Sequence, residues 1–136
     1  MEIIAALFME DIELRSVPGP STRIDLAGIQ FSAPAPAPVP VTIAPHLVVL
    51  VWNPPGGMDT AALEVVFVAG EDPTAEPDGE PMARNVQPLQ IEPGKFNYRL
   101  VRPELAIEEY GTVLARCRID GGPVHVVPYT LLPPVE

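Results

Sequence analysis

The side chains of this sequence that could do chemistry are one thiol, two imidazoles and several groups of carboxylates. Cys117 and His125 sit in neighbouring apolar runs on either side of Asp120-Gly121. An imidazole that takes the proton of a nearby thiol makes a nucleophile, provided both side chains lie on one face. The turn decides whether they do. Asp-Gly between two β-rich runs favours a type I′ hairpin, which needs positive φ at both central residues. With Ile119 opposite Gly122, Cys117 pairs with Val124, Ala115 with Val126 and Val113 with Pro128. Side chains alternate along a strand, so Val113, Ala115, Cys117, Ile119, Val124 and Val126 form an apolar face. Thr112, Leu114, Arg116, Arg118, His125, Val127 and Tyr129 form the other. This register separates Cys117 from His125, and a slip of one residue would reunite them.

In that register Cys117 is an inert small hydrophobe. His125 lies opposite Arg116, whose charge disfavours a protonated imidazole. Pro128 falls where the ladder needs a donor, so a bulge or break is expected at Val127-Pro128. The other histidine, His46, lies between Pro45 and an apolar run. Ser16, Ser21 and Ser32 stand in turn or strand-end contexts without a Gly-x-Ser-x-Gly elbow, and no Gly-rich phosphate loop or dinucleotide fingerprint occurs. Glu10, Asp11 and Glu13 read as a solvated strand end. Glu71, Asp72, Glu76, Asp78 and Glu80 surround a turn at Pro77-Asp78-Gly79, but the ordered ligand positions of an EF-hand calcium loop are missing. A solvated acidic loop over 70–81 is expected. No residue is assigned a catalytic, cofactor-binding or metal-binding role, and the chain is read as a non-enzyme.

Composition narrows the classes further. The length of 136 residues suits one domain able to bury roughly two-thirds of its unfolded surface without a metal or disulfide. Hydrophobic residues make up 47% and aromatics only 6%, so the core is expected from Val, Ile, Leu and Ala. The 19 prolines lie between apolar runs, where they punctuate strands and argue against long helices. A formal net charge of −10 with only 8 scattered Lys and Arg argues against nucleic acid, whose phosphates want a clustered basic surface, and disfavours anionic membranes. With one cysteine, no charged leader before the first apolar residues and no apolar run near the ~20 residues of a membrane span, a cytoplasmic protein is expected.

Taken in order, residues 2–14 read as a strand and 16–22 as a turn, with 23–32 returning as an antiparallel partner. Residues 33–40 alternate alanine or valine with proline and form a stiff polyproline crossover, spanning on the order of 25 Å. Leu47 to Trp52 is an unbroken apolar run, expected to be a central strand covered on both faces, with Trp52 capping the core. Asn53-Pro54-Pro55-Gly56-Gly57 is a turn, and 61–69 returns as a strand. Residues 86–91, 96–101 and 105–107 are short extended pieces, with a single helical turn able to start after Pro103.

The N-terminal strand, the return Ile24-Asp25-Leu26-Ala27-Gly28-Ile29, the proline-bearing crossover, the apolar strand to Trp52 and the closing Tyr110-Gly111 to Ile119-Asp120-Gly121 hairpin together resemble an uncharacterised family of small bacterial proteins, a domain of unknown function. Here Ser21-Thr22-Arg23 replaces that family's Gly-Lys pair, and Ala27-Gly28 stands in for its Leu-Gly step. The resemblance implies an immunoglobulin-like or C2-like β-sandwich and no particular activity.

The expectation is therefore an all-β, single-domain antiparallel β-sandwich over residues 1–136, with about seven to eight strands and little or no helix. Its expected role is non-enzymatic protein–protein association, with itself or another protein, and without nucleic acid or membrane. The apolar content on both faces of several strands motivates this, and Leu114, Arg116, His125, Val127 and Tyr129 form the candidate contact face. A small-ligand or carbohydrate-binding sandwich is the alternative, with sites near Trp52, Tyr98 or Tyr129. A metal-dependent enzyme centred on Asp72, Asp78 and Glu80 is the third reading.

Overall fold

The computed structural model describes residues 1–16, 22–72 and 80–135, and within them the chain forms strands and no helix. In chain order these are β1 (Glu2–Met9), β2 (Asp11–Ser16), β3 (Thr22–Ala27), β4 (Ser32–Pro34), β5 (Val41–Ile43) and β6 (His46–Trp52). They continue as β7 (Thr60–Ala69), β8 (Ala83–Gln90), β9 (Phe96–Val101), β10 (Leu105–Ile107), β11 (Gly111–Ile119) and β12 (His125–Leu132). The architecture is a β-sandwich. One sheet has the order β1-β6-β9 and the other β4-β12-β11-β7-β8, while β5 with β10 and β2 with β3 form two separate ribbons.

Among the described residues twelve strands replace the expected seven to eight because interruptions divide the longer runs. The run over 2–14 breaks at Glu10, whose N–H is shared between the Ala27 and Gly28 carbonyls. Past Ala27 the return strand loses its ladder, and β4 then pairs parallel with β12, so the sandwich is not wholly antiparallel. After Pro103 the chain forms β10 rather than a helical turn. Leu105 and Ile107 are buried while Ala106 between them is exposed, a period of two that satisfies the core only in an extended strand.

The core lies between the sheets. Ala6, Phe8, Leu47, Val49, Val51 and Val101 of the first meet Leu63, Val65, Phe67, Leu89, Val113, Ala115, Cys117, Val127, Tyr129 and Leu131 of the second. The expected aliphatic character holds, with one ring contact, Phe8 against Tyr129 at 4.9 Å. On the open side, Gln87 Nε2 donates to the Leu100 carbonyl at 3.0 Å and ties β8 to β9. The crossover residue Ala35 is buried and donates its N–H to Leu132, and the Val39 N–H donates to Tyr110 Oη.

The closing hairpin has the expected turn and a different register. Asp120 and Gly121 have φ of 49° and 70°, and the Gly122 N–H donates to Ile119, as a type I′ turn requires. Beyond it, however, Cys117 pairs with His125, Ala115 with Val127 and Val113 with Tyr129. One extra residue therefore sits between Gly122 and His125, and the expected bulge at Val127-Pro128 lies instead beside the turn. Proline chemistry gives the reason. The Thr130 N–H donates to Phe31, away from β11, so Pro128, two residues earlier, also turns its missing donor away from β11. The extra residue moves the gap out of the ladder.

Candidate functional site

The corrected register divides the candidate contact face. Leu114 and Arg116 do face outward, but Leu114 is buried beside Val68 and Pro128. Val127 and Tyr129 turn into the core, where burial pushes the Tyr129 hydroxyl above its usual pKa. His125 is half-buried on the same side, at a cleft of about 350 Å³ with Glu2, Ile119 and Pro123. Those five residues make no common surface.

The same shift makes Cys117 and His125 direct cross-strand partners. Proximity does not make this a nucleophile. Cys117 has no solvent exposure, and desolvation pushes its thiol up to about 12. His46 begins β6 and borders another cleft of about 410 Å³ with Glu10, Gln30 and Thr42. Of the acidic loop, residues 73–79, including Glu76 and Asp78, lie outside the described residues, as does the Pro18-Gly19-Pro20 turn. Among the described residues no group of three His, Cys, Asp or Glu side chains could hold a metal ion. Among the described residues no helix is long and apolar enough to cross a membrane.

The outer faces of the two sheets differ in kind. On the five-stranded sheet, Arg84, Arg116 and Arg118 stand among Val66, Val86 and Val126, and Arg84 Nε donates to Glu64 at 3.0 Å. That face suits water. On the three-stranded sheet the register places Ala5, Leu7 and Met9 of β1 beside Leu50, Val48 and His46 of β6. Across β6, Trp52, Leu50 and Val48 stand beside Phe96, Tyr98 and Leu100 of β9. Between Glu2 at one end and His46 at the other, this face holds no charged side chain.

Local sequence explains why. β6 is apolar at every position from Leu47 to Trp52, so whichever side meets the core, the other is apolar too. Val48 is buried between Leu7 and Leu100, but Leu50 is only half-buried and Trp52 is 37% exposed. Trp52 therefore faces outward rather than capping the core, and this strand is covered on both faces over Leu47, Val48 and Val49 but not at its Leu50–Trp52 end. β9 is more telling. Its alternation directs Phe96, Tyr98 and Leu100 outward, while Asn97 and Arg99 share the side of Val51 and Val49. A strand made only for water would point the other way. The sequence signal was the alternation Phe-Asn-Tyr-Arg-Leu-Val, but with β6 apolar on both sides nothing local identified its outward set.

The three aromatic residues of this face line neither the cleft at His125 nor the one at His46. Tyr110 and Tyr129 each border a separate cleft elsewhere, and neither cleft contains a second aromatic residue. No family model, curated protein or solved structure matches the chain.

Proposed function

We propose that this protein acts without catalysis, by associating with another protein chain through the outer face of the β1-β6-β9 sheet. The observation that carries this reading is the inverted amphipathicity of β9. Phe96, Tyr98 and Leu100 extend the apolar outer rows of β1 and β6 instead of entering the core. An uncharged apolar face of this kind favours a protein partner. A ligand-binding module has less support, because Trp52, Phe96 and Tyr98 stand on a flat face without the convergent polar groups that orient a small molecule.

The test is Leu50→Asp, which places a carboxylate at the centre of the face while leaving the core side untouched. Wild-type chain is expected to self-associate in light scattering at micromolar concentration or to co-purify with a partner, and the variant is expected to lose that association. A strictly monomeric wild type with no co-purifying partner, or a variant that associates unchanged, overturns the proposal.

A further inference from the structure

We infer that the cover for this sheet face is the β2–β3 ribbon of a second copy of the same chain, an inference that rests on the association proposed above. Among the described residues the ribbon pairs only with itself. Its position follows from the end of the β1–β6 ladder. That ladder stops at Met9–His46, and Pro45 before it has no N–H to continue pairing, so β2 runs on past the sheet. Cross-strand pairs Ile12–Leu26 and Leu14–Ile24 give the ribbon one aliphatic face, whereas Asp11, Glu13, Arg23 and Asp25 belong to the other. Leu14 remains 64% exposed. A two-stranded ribbon alone is marginal in water, and an aliphatic face on it needs a cover.

Within one chain the ribbon's aliphatic row does not continue the row of the sheet face. The Phe8–Gln30 bridge and the Asp11–Ala27 pair share one register, so Ile12, Leu14, Ile24 and Leu26 keep the parity of Phe8, which faces the core. The apolar sheet face has the opposite parity, on Leu7 and Val48. A second copy brings the two rows together.

The dimensions also agree. Six-residue strands make the ribbon roughly 20 Å long and about 10 Å wide, against roughly 23 Å by 14 Å for three strands about the seven residues of β6. Charge points to the same pairing. The carboxylates on these two sides stand at the margins, Glu2 at the end of the sheet face and Glu10 at the root of the ribbon, so the apolar centres of two chains of formal net charge −10 can meet without opposing acids. If two copies exchange ribbons about a two-fold axis, each covers the other's sheet and the assembly closes. Four side chains from the ribbon and seven from the sheet, where Met9 and Val48 are already buried, then form the centre of an interface whose standard size is roughly 20–30 residues a side.

Two variants test the exchange by ultracentrifugation: Leu14→Asp with Ile24→Asp on the ribbon, and Leu50→Asp on the face, with Tyr98→Arg as a second face variant. An unchanged thermal transition verifies each core. Wild type is expected to dimerise, and each variant to raise the half-association concentration at least about tenfold. Mixing ribbon and face variants restores one of the two contacts, so the mixed pair forms more tightly than either variant alone. A ribbon variant that dimerises normally, or a mixture that restores nothing, overturns the inference. So does a monomeric wild type. If that monomer instead binds a different protein and Leu50→Asp abolishes it, the association reading stands without the second copy, and if Leu50→Asp leaves such binding intact both fall.

Discussion

Cys117 and His125 face one another across the β11–β12 hairpin as direct cross-strand partners, yet the thiol has no solvent exposure. A thiol activated by histidine would ionise below its usual range, whereas burial drives this one up to about 12. In the folded chain an alkylating reagent at pH 8 is expected to leave Cys117 unmodified, with complete modification in denaturant. Rapid labelling of the native protein would contradict the inert reading.

The same thiol makes stability depend on pH. Its folded pKa is raised from 9.0 to about 12, so its contribution is fully present below pH 9 and is lost as pH rises toward 12. The unfolded chain releases the proton first, at about 1.4 kcal/mol per pH unit in that window. Urea midpoints from pH 8 to pH 10.5 are expected to fall more steeply for wild type than for Cys117→Ala. Parallel slopes would contradict it.

Asn53 ties two turns together. Its buried amide donates to the carbonyls of Met58 at 2.9 Å and Ile91 at 2.7 Å, and its N–H donates to Lys95. Asn53→Leu is expected to cost about 2–4 kcal/mol in urea unfolding, because the buried Ile91 carbonyl and the part-buried Met58 carbonyl lose their donor. Asn53→Asp should cost at least as much, since it removes both donors and adds a buried charge.

Gly28 sets the root of the ribbon. It has φ of +66°, and a Cβ there would stand 2.7 Å from the Glu10 side chain. Gly28→Ala is expected to accelerate amide exchange at Glu10 and Gln30, which donate across this root. In a Glu10→Ala background the steric part disappears and about 1–2 kcal/mol of backbone strain remains. Equal effects in both backgrounds would show that the contact does not matter.

The hairpin register has its own test. With Pro128 turned away from β11, Pro128→Ala is expected to change stability by less than about 1 kcal/mol, since the restored donor lies outside the ladder. Val127→Pro is expected to cost about 3 kcal/mol or more, because the alternation makes Val127 the ladder donor. The reverse order in urea unfolding would indicate the unshifted register.

Much of the fold was legible because its signals are local. Asp120-Gly121 specifies its turn through backbone sterics, and the alternation at Leu63, Val65 and Phe67 marks a strand with one buried side. The hairpin register was harder. The turn suggested Cys117 opposite Val124, but a donor missing at Pro128 makes that ladder worse, and one added residue after Gly122 relieves it. The prolines contained that information. Where the bulge would fall was a competition between distant positions, and so the contact face at Leu114, Arg116, His125, Val127 and Tyr129 was divided.

By itself the sequence determined the β class, the principal turns and the aliphatic core, since each follows from side-chain period and backbone freedom within a few residues. Only the tertiary structure decided that Phe96, Tyr98 and Leu100 face outward and that Ile12, Leu14, Ile24 and Leu26 stand on a ribbon that has no further strand among the described residues. The physical reason is that an apolar strand states its need for cover, whereas the neighbour that supplies or withholds it comes from a remote part of the chain or from another chain altogether.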